Sequence, residues 1–205
     1  MKALQLPSDS LLGGWFMPPK IIDDILDFWN DSDDLKQEGV VNQNGIGEVL
    51  NKRVKDSVEI QIQPHADKEP WQTYEKYLQE CLLKYIKLYK YANYATSFCI
   101  REKYNLQGYP KGGGFPDVHT ENQGCLSTVH RHLVFMTYLN DLEHGGTNFP
   151  VQNITTPSKK GLTLIFPAYF THPHNSQVCK KNKKQIVTGW YNFQETIDLI
   201  HFVNP

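Results

Sequence analysis

The segment Leu133–Leu139, LVFMTYL, is apolar at successive positions and so on both faces of any strand it forms. A strand with one wet face alternates apolar and polar residues; this one does not, so it must be covered on both sides. LTLIF at 162–166, IVTGWYNF at 186–193 and FCIREKYNLQ at 98–107 read as further strands. Between these runs lie LEHGGTNFP, TTPSKKG and KKNKK, which carry turn residues. Many short strands punctuated in this way point to a sandwich or barrel.

Residues 1–95 read differently and supply the helical cover. PPKIIDDILDFWND opens on prolines, which suit a helix start, and Ile21, Ile22, Ile25, Leu26, Phe28 and Trp29 fall on a helical stripe. SVEIQIQ alternates Val58, Ile60 and Ile62 with Glu59, Gln61 and Gln63, the pattern of a half-buried strand. The stretch from Pro70 to Tyr94 is the longest helix candidate, with Tyr74, Leu78, Cys81, Leu82, Tyr85 and Tyr89 on its buried face. The expected fold is mostly β with supporting α: helices packed on one face of an antiparallel, barrel-like core. We expect one domain over residues 1–205, with helical support and early strands in 1–95 and the β core in 96–195. At 205 residues such a chain buries a sizeable core.

A formal net charge of −1 gives no field to recruit nucleic acid or an anionic membrane. No apolar run approaches the roughly 20 residues that span a bilayer, and the start, MKALQLPSDSLLGGWF, lacks a secretory leader pattern. These readings imply a cytoplasmic protein. Cys81, Cys99, Cys125 and Cys179 form no CxxC pair, so reduced thiols are expected rather than a zinc or redox motif.

One stretch carries metal chemistry. In GFPDVHTENQG, His119 and Glu121 are two residues apart, and in an extended chain both side chains point the same way. H-x-E alone is a weak signal in a chain with eight histidines. Downstream, FPAYFTHPHNSQV offers His172 and His174, either of which could complete a set of two histidines and one carboxylate, the facial triad of non-haem iron(II) oxygenases. A zinc hydrolase built on the same residues would need a general base beside the metal water, for which Glu143 is the candidate. A jelly-roll binding module with a degenerate site is the non-enzymatic alternative.

The motifs around these residues have an order of their own: YPKGGGF, HTE, RHLVFMTYLND, GGTNFP, TPSKKG, HNSQV and KQIVTGW. Over residues 104–193 the chain resembles the prolyl 4-hydroxylase-like group of 2-oxoglutarate and iron(II)-dependent dioxygenases. The resemblance implies a double-stranded β-helix, the jelly-roll or cupin-like core of that group. It implies iron(II) held by His119, Glu121 and a distal histidine, and 2-oxoglutarate as cosubstrate. It also implies hydroxylation of a C–H bond with release of succinate and carbon dioxide, and ascorbate as reductant. The prime substrate implied is peptidyl proline or another peptide or small amino-acid-like molecule. The group places a lysine or arginine about ten residues after the distal histidine. Lys184 lies ten positions after His174, which selects His174 over His172 and makes Lys184 the anchor for the distal carboxylate of 2-oxoglutarate. Tyr109 resembles the tyrosine that bonds the cosubstrate, with Tyr104 as the alternative, and Thr188 and Trp190 share the Lys184 strand and line the pocket. Arg131 is expected near the mouth or supporting a turn. Glu121 stands where most relatives have aspartate, and its presence argues against halogenases of the group, which carry a small residue there.

Overall fold

The computed structural model describes residues 1–43, 47–94 and 96–194; position 195, the expected end of the core, and 196–205 lie outside the described residues. Two α-helices are present among them, α1 (Pro19–Asp31) and α2 (Trp71–Leu88). The strands of the first half are β1 (Gly13–Phe16), β2 (Gln37–Glu38), β3 (Val41–Gln43), β4 (Gly47–Val49) and β5 (Val58–Ile62). Those of the second are β6 (Phe98–Cys99), β7 (Tyr104–Tyr109), β8 (Arg131–Tyr138), β9 (Leu142–Phe149), β10 (Ile154–Ser158), β11 (Leu162–Pro167), β12 (Asn175–Ser176) and β13 (Lys184–Phe193).

The large antiparallel sheet runs β1-β11-β8-β13-β7-β5-β2, with β6 also paired to β13, and a smaller sheet runs β10-β9-β12. β8 is buried from Leu133 to Tyr138, as its unbroken apolar run requires. Alternate residues serve two cores. Leu133 and Phe135 join Ile165, Val187 and Tyr191 beneath the helices, together with Ile22 and Ile25 of α1 and Tyr74, Leu78 and Tyr85 of α2. Val134, Met136 and Tyr138 join Phe149, Phe166, Ile186 and Trp190 between the two sheets. The mostly β architecture with helices on one face is therefore present, and the tyrosines of α2 are core residues. Tyr74 bonds Thr137 Oγ1 at 2.9 Å, and Tyr85 donates to the Leu11 carbonyl at 2.9 Å.

Four expectations need correction. FCIREKYNLQ is not one strand: β6 and β7 both pair with β13, and the chain leaves the ladder between them, where Glu102 turns to bond Arg131 and Asn192. LEHGGTNFP and TTPSKKG are mainly strands, β9 and β10, not turns. They are polar because they form the small sheet with one face outward, and Pro157 is tolerated because the register shifts between Thr156 and Ser158. The helix from Pro70 ends at Leu88 and continues only as a 3-10 turn over Lys90–Asn93. Glu59 does not face solvent but is 4% exposed. No helix among the described residues is long and apolar enough to cross a membrane.

Candidate metal centre and its pocket

The chain reaches the site through a glycine turn. Gly112 takes φ +79°, and a Cβ on Gly113 would lie 2.6 Å from Pro110 Cδ and 2.8 Å from the Asp56 carbonyl oxygen. Side chains at these points would open the turn that leads to His119. His119 then exchanges both backbone hydrogen bonds with His174, at 3.0 and 2.9 Å, as an antiparallel bridge beside β12. Directly opposed residues put their side chains on one face, and the two imidazoles lie 4.6 Å apart, centroid to centroid. Glu121, two residues on, joins them: one ligand atom from each of His119, Glu121 and His174 lies within 4.8 Å of the others.

The two histidines are oriented by the same device. Nδ1 of His119 bonds the Asp117 carbonyl at 2.9 Å, and Nδ1 of His174 bonds the His172 carbonyl at 3.0 Å. A carbonyl only accepts, so each Nδ1 carries the proton and, in the neutral ring, each Nε2 keeps a lone pair. Both Nε2 atoms face Oε1 of Glu121, at 3.6 and 3.5 Å. Phe115 stacks on His119 at 3.8 Å, and Phe149 and Phe166 flank His174. Burial alone would push the Glu121 carboxyl up, but when the imidazoles of His119 and His174 are protonated their hydrogen bonds and charge hold it well below the ordinary carboxylate range. Two lone pairs and one ionised carboxylate facing a common point fit a divalent metal ion.

Glu121 is held from behind as well. Trp190 Nε1 donates to its Oε2 at 3.0 Å, and Arg131 Nη1 lies 3.5 Å from the same oxygen. The Arg131 guanidinium lies 3.5 Å above the Trp190 ring and bonds Glu102 through two nitrogens, at 2.9 and 2.7 Å. Arg131 thus stands behind the acid rather than merely supporting a turn.

The triad opens into a pocket that also holds Tyr109, Lys184, Thr188 and Trp190, with Met136, Thr147, Ser176 and Ile186 in its wall. Lys184 begins β13 and is 2% exposed. Its ammonium donates to Ser176 Oγ at 2.8 Å, and no carboxylate pairs with it among the described residues. Burial pulls its pKa down to about 7, against a smaller upward pull from Cys179. Tyr109 sits directly opposite Lys184 in the β7–β13 ladder, and Thr188 donates to the Phe135 carbonyl at 3.3 Å.

Some candidates are elsewhere. His172 is buried with both ring nitrogens engaged, Nε2 on the Ser10 carbonyl and Nδ1 on Thr171 Oγ1, each at 2.9 Å. Tyr104 lies in the core under the helices and donates to Glu75. Glu143 is exposed beside Lys181 and does not line the pocket, so it is not placed to serve as a base.

Other residues were not singled out by sequence reasoning. Tyr109 donates to Gln107 at 2.7 Å, Gln107 to Glu59 at 2.9 Å, and Glu59 pairs with buried Lys55. Ser176 had a signal, since it lies two residues beyond His174 and so on the same side. The Gln107–Glu59 and Arg131–Glu102 bonds had none, because those partners are 48 and 29 positions apart.

No family model matches the sequence, and no curated protein matches it. Solved structures do resemble the fold. A Pseudomonas putida prolyl-4-hydroxylase superposes with a TM-score of 0.64 at 14% identity, over 92% of this chain and 97% of that one. The collagen prolyl hydroxylase of Paramecium Bursaria Chlorella virus-1, in its 2-oxoglutarate complex, gives 0.62 at 17% identity, over 90% and 97%. A Trichoplax adhaerens prolyl hydroxylase, bound to a peptide fragment of a hypoxia inducible factor oxygen degradation domain, gives 0.67 at 16% identity, over 96% and 88%. With its large and small antiparallel sheets and its helical cover, the chain has the jelly-roll fold of these prolyl hydroxylases.

Proposed function

We propose that this chain is an iron(II)- and 2-oxoglutarate-dependent dioxygenase that hydroxylates a C–H bond of a peptide or small amino-acid-like substrate. The observation that carries the reading is the meeting, in one pocket, of the His119–Glu121–His174 donor set with a buried lysine that lacks a carboxylate partner among the described residues. His119, Glu121 and His174 would hold iron(II) from one side, leaving the other positions to exogenous ligands. Lys184 would take the distal carboxylate of 2-oxoglutarate, a point-charge partner for a buried cation, while Tyr109 and Thr188 line its path. Iron(II) held there would supply the oxidising chemistry, coupling conversion of 2-oxoglutarate and dioxygen to succinate and carbon dioxide with hydroxylation of the substrate carbon. The protein orients the donors and keeps the pocket dry with Phe115, Phe166, Met136 and Ile186. The neighbours' 2-oxoglutarate and peptide complexes support the choice of cosubstrate and a peptide as the first substrate to try.

The test is direct. Purified protein should bind one iron(II) per chain and form succinate slowly from 2-oxoglutarate alone, sustained by ascorbate and accelerated by a substrate from a peptide and amino-acid panel. Stoichiometric zinc with no succinate under any condition would overturn the reading.

A further inference from the structure

The motif at 119–121 is H-x-E, and a glutamate has one more rotatable bond than an aspartate through which to miss its target. Left to itself, such a carboxylate can offer both oxygens to a metal ion or swing back toward a neighbouring cation. Here one oxygen is taken from behind: Oε2 faces Trp190 and, at 3.5 Å, Nη1 of Arg131. The indole N–H of Trp190 donates to Oε2 at 3.0 Å, while Oε1 faces both imidazoles at 3.6 and 3.5 Å. The nearest cation is restrained too. Arg131 bonds Glu102 through two nitrogens, Asn192 holds Glu102 at 3.0 Å, and a third Arg131 nitrogen bonds the Glu121 backbone carbonyl at 3.2 Å. Paired with Glu102, Arg131 lies over the Trp190 ring at 3.5 Å, which restrains the indole.

We infer that Trp190 is a positioning residue: its N–H claims Oε2 of Glu121 and turns Oε1 alone toward His119 and His174, so that the longer acid presents a single oxygen to a bound metal ion. The inference rests on the metal site proposed above and assigns Trp190 a task different from lining the cosubstrate path. A single oxygen matters because a second one would occupy a position that the exogenous ligands need. The geometry also sets the acid's length. Glu121 spans the two sides at 3.0 Å to the indole and 3.6 and 3.5 Å to the histidines, and an aspartate, one methylene shorter, would reach them less well from the same backbone position.

The experiment reads metal binding, not turnover. Cobalt(II), whose visible absorption reports coordination number, is titrated into the wild-type chain, Trp190→Phe and Glu121→Asp, without cosubstrate. We expect Trp190→Phe to keep the fold but raise the Kd for cobalt about 10- to 100-fold, the usual cost of losing a group that orients a ligand, and to change the visible band shape. Glu121→Asp should weaken binding as well. Unchanged affinity and spectrum in Trp190→Phe would overturn the inference while leaving the metal site intact; failure of the wild-type chain to bind cobalt would instead sink the proposed function. A second measurement needs no change at Trp190. In a 15N spectrum, Glu121→Ala should move and deprotect one of the four tryptophan indole signals, and four unmoved signals would also overturn the inference.

Discussion

Lys184 shows at single-residue scale how function and stability oppose each other. An ammonium that is 2% exposed with a serine as its hydrogen-bond partner is unfavourable in the empty pocket. Its pKa falls from 10.5 to about 7, so between those values the unfolded chain keeps a proton that the folded chain has released. Stability contributed by this group therefore rises as pH climbs from about 7 to 10.5, and is lowest below 7. Lys184→Met should flatten that rise and melt later than the wild-type chain at pH 7 without cosubstrate, as urea or thermal unfolding would show. The same variant should bind 2-oxoglutarate at least about 30-fold more weakly, because truncating one side of a desolvated charge pair costs about 2–5 kcal/mol. Lys184→Arg, which does not deprotonate, should hold its cosubstrate affinity as pH rises past 7, whereas that of the wild-type chain declines. A lysine variant with unaltered stability and unaltered cosubstrate affinity would mean that the pocket does not use this cation.

At the scale of elements, β9 and β10 explain what the sequence conceals. A Cβ on Gly146 would sit 1.7 Å from the Thr156 carbonyl oxygen, so β9 and β10 approach as they do only because residue 146 has no side chain. Gly146→Ala should push β10 aside and destabilise the chain by about 1–3 kcal/mol, at roughly 2–4 °C of Tm per kcal/mol for a protein of this size. A thermal melt within a degree of wild type would show that the small sheet yields without cost. The glycine pair and Pro157 that read as turn punctuation are here the devices of a tight, polar, edge-exposed sheet. The strands of the large sheet were legible because burial on both faces leaves a run such as LVFMTYL with one interpretation, and the two helices because their stripes are long. β9 and β10 were not, since alternation such as Thr147, Asn148, Phe149 is too short to outweigh Gly and Pro. The same limit applies at the site. His119 and Glu121 are adjacent in an extended chain and visible as a pair, whereas Glu102 against Arg131 and Glu59 against Gln107 are made only by strand pairing across 29 and 48 positions.

Across the whole molecule, the triad joins two segments that are far apart in sequence and meet on the small-sheet side. His119 comes off the glycine turn, which Asp56 ties to the first half of the chain through its bond to the Gly114 carbonyl, and His174 comes off the loop after β11. The two-bond bridge between the histidines is flanked by bonds from Ser176 N–H to the Phe115 carbonyl at 2.9 Å and from Asn122 N–H to the Ala168 carbonyl at 2.8 Å, so the two segments meet along a short seam of backbone contacts. A metal ion held by both would clamp these segments, and anything that binds only the folded chain raises its stability by mass action. At a free metal concentration 100 times Kd the gain is about 2.7 kcal/mol, or roughly 5–10 °C of Tm. We expect iron(II) under anaerobic conditions, or cobalt(II), to produce a shift of that size and a chelator to reverse it. The two downstream histidines should then separate cleanly. His174→Ala removes an Nε2 from the cluster and should abolish the shift. His172→Ala removes the bond to the Ser10 carbonyl and should lower the starting Tm, yet keep the shift, because its backbone carbonyl still orients His174. Loss of the metal shift in His172→Ala with its retention in His174→Ala would exchange their roles, and with them the ten-residue spacing that links the distal histidine to Lys184.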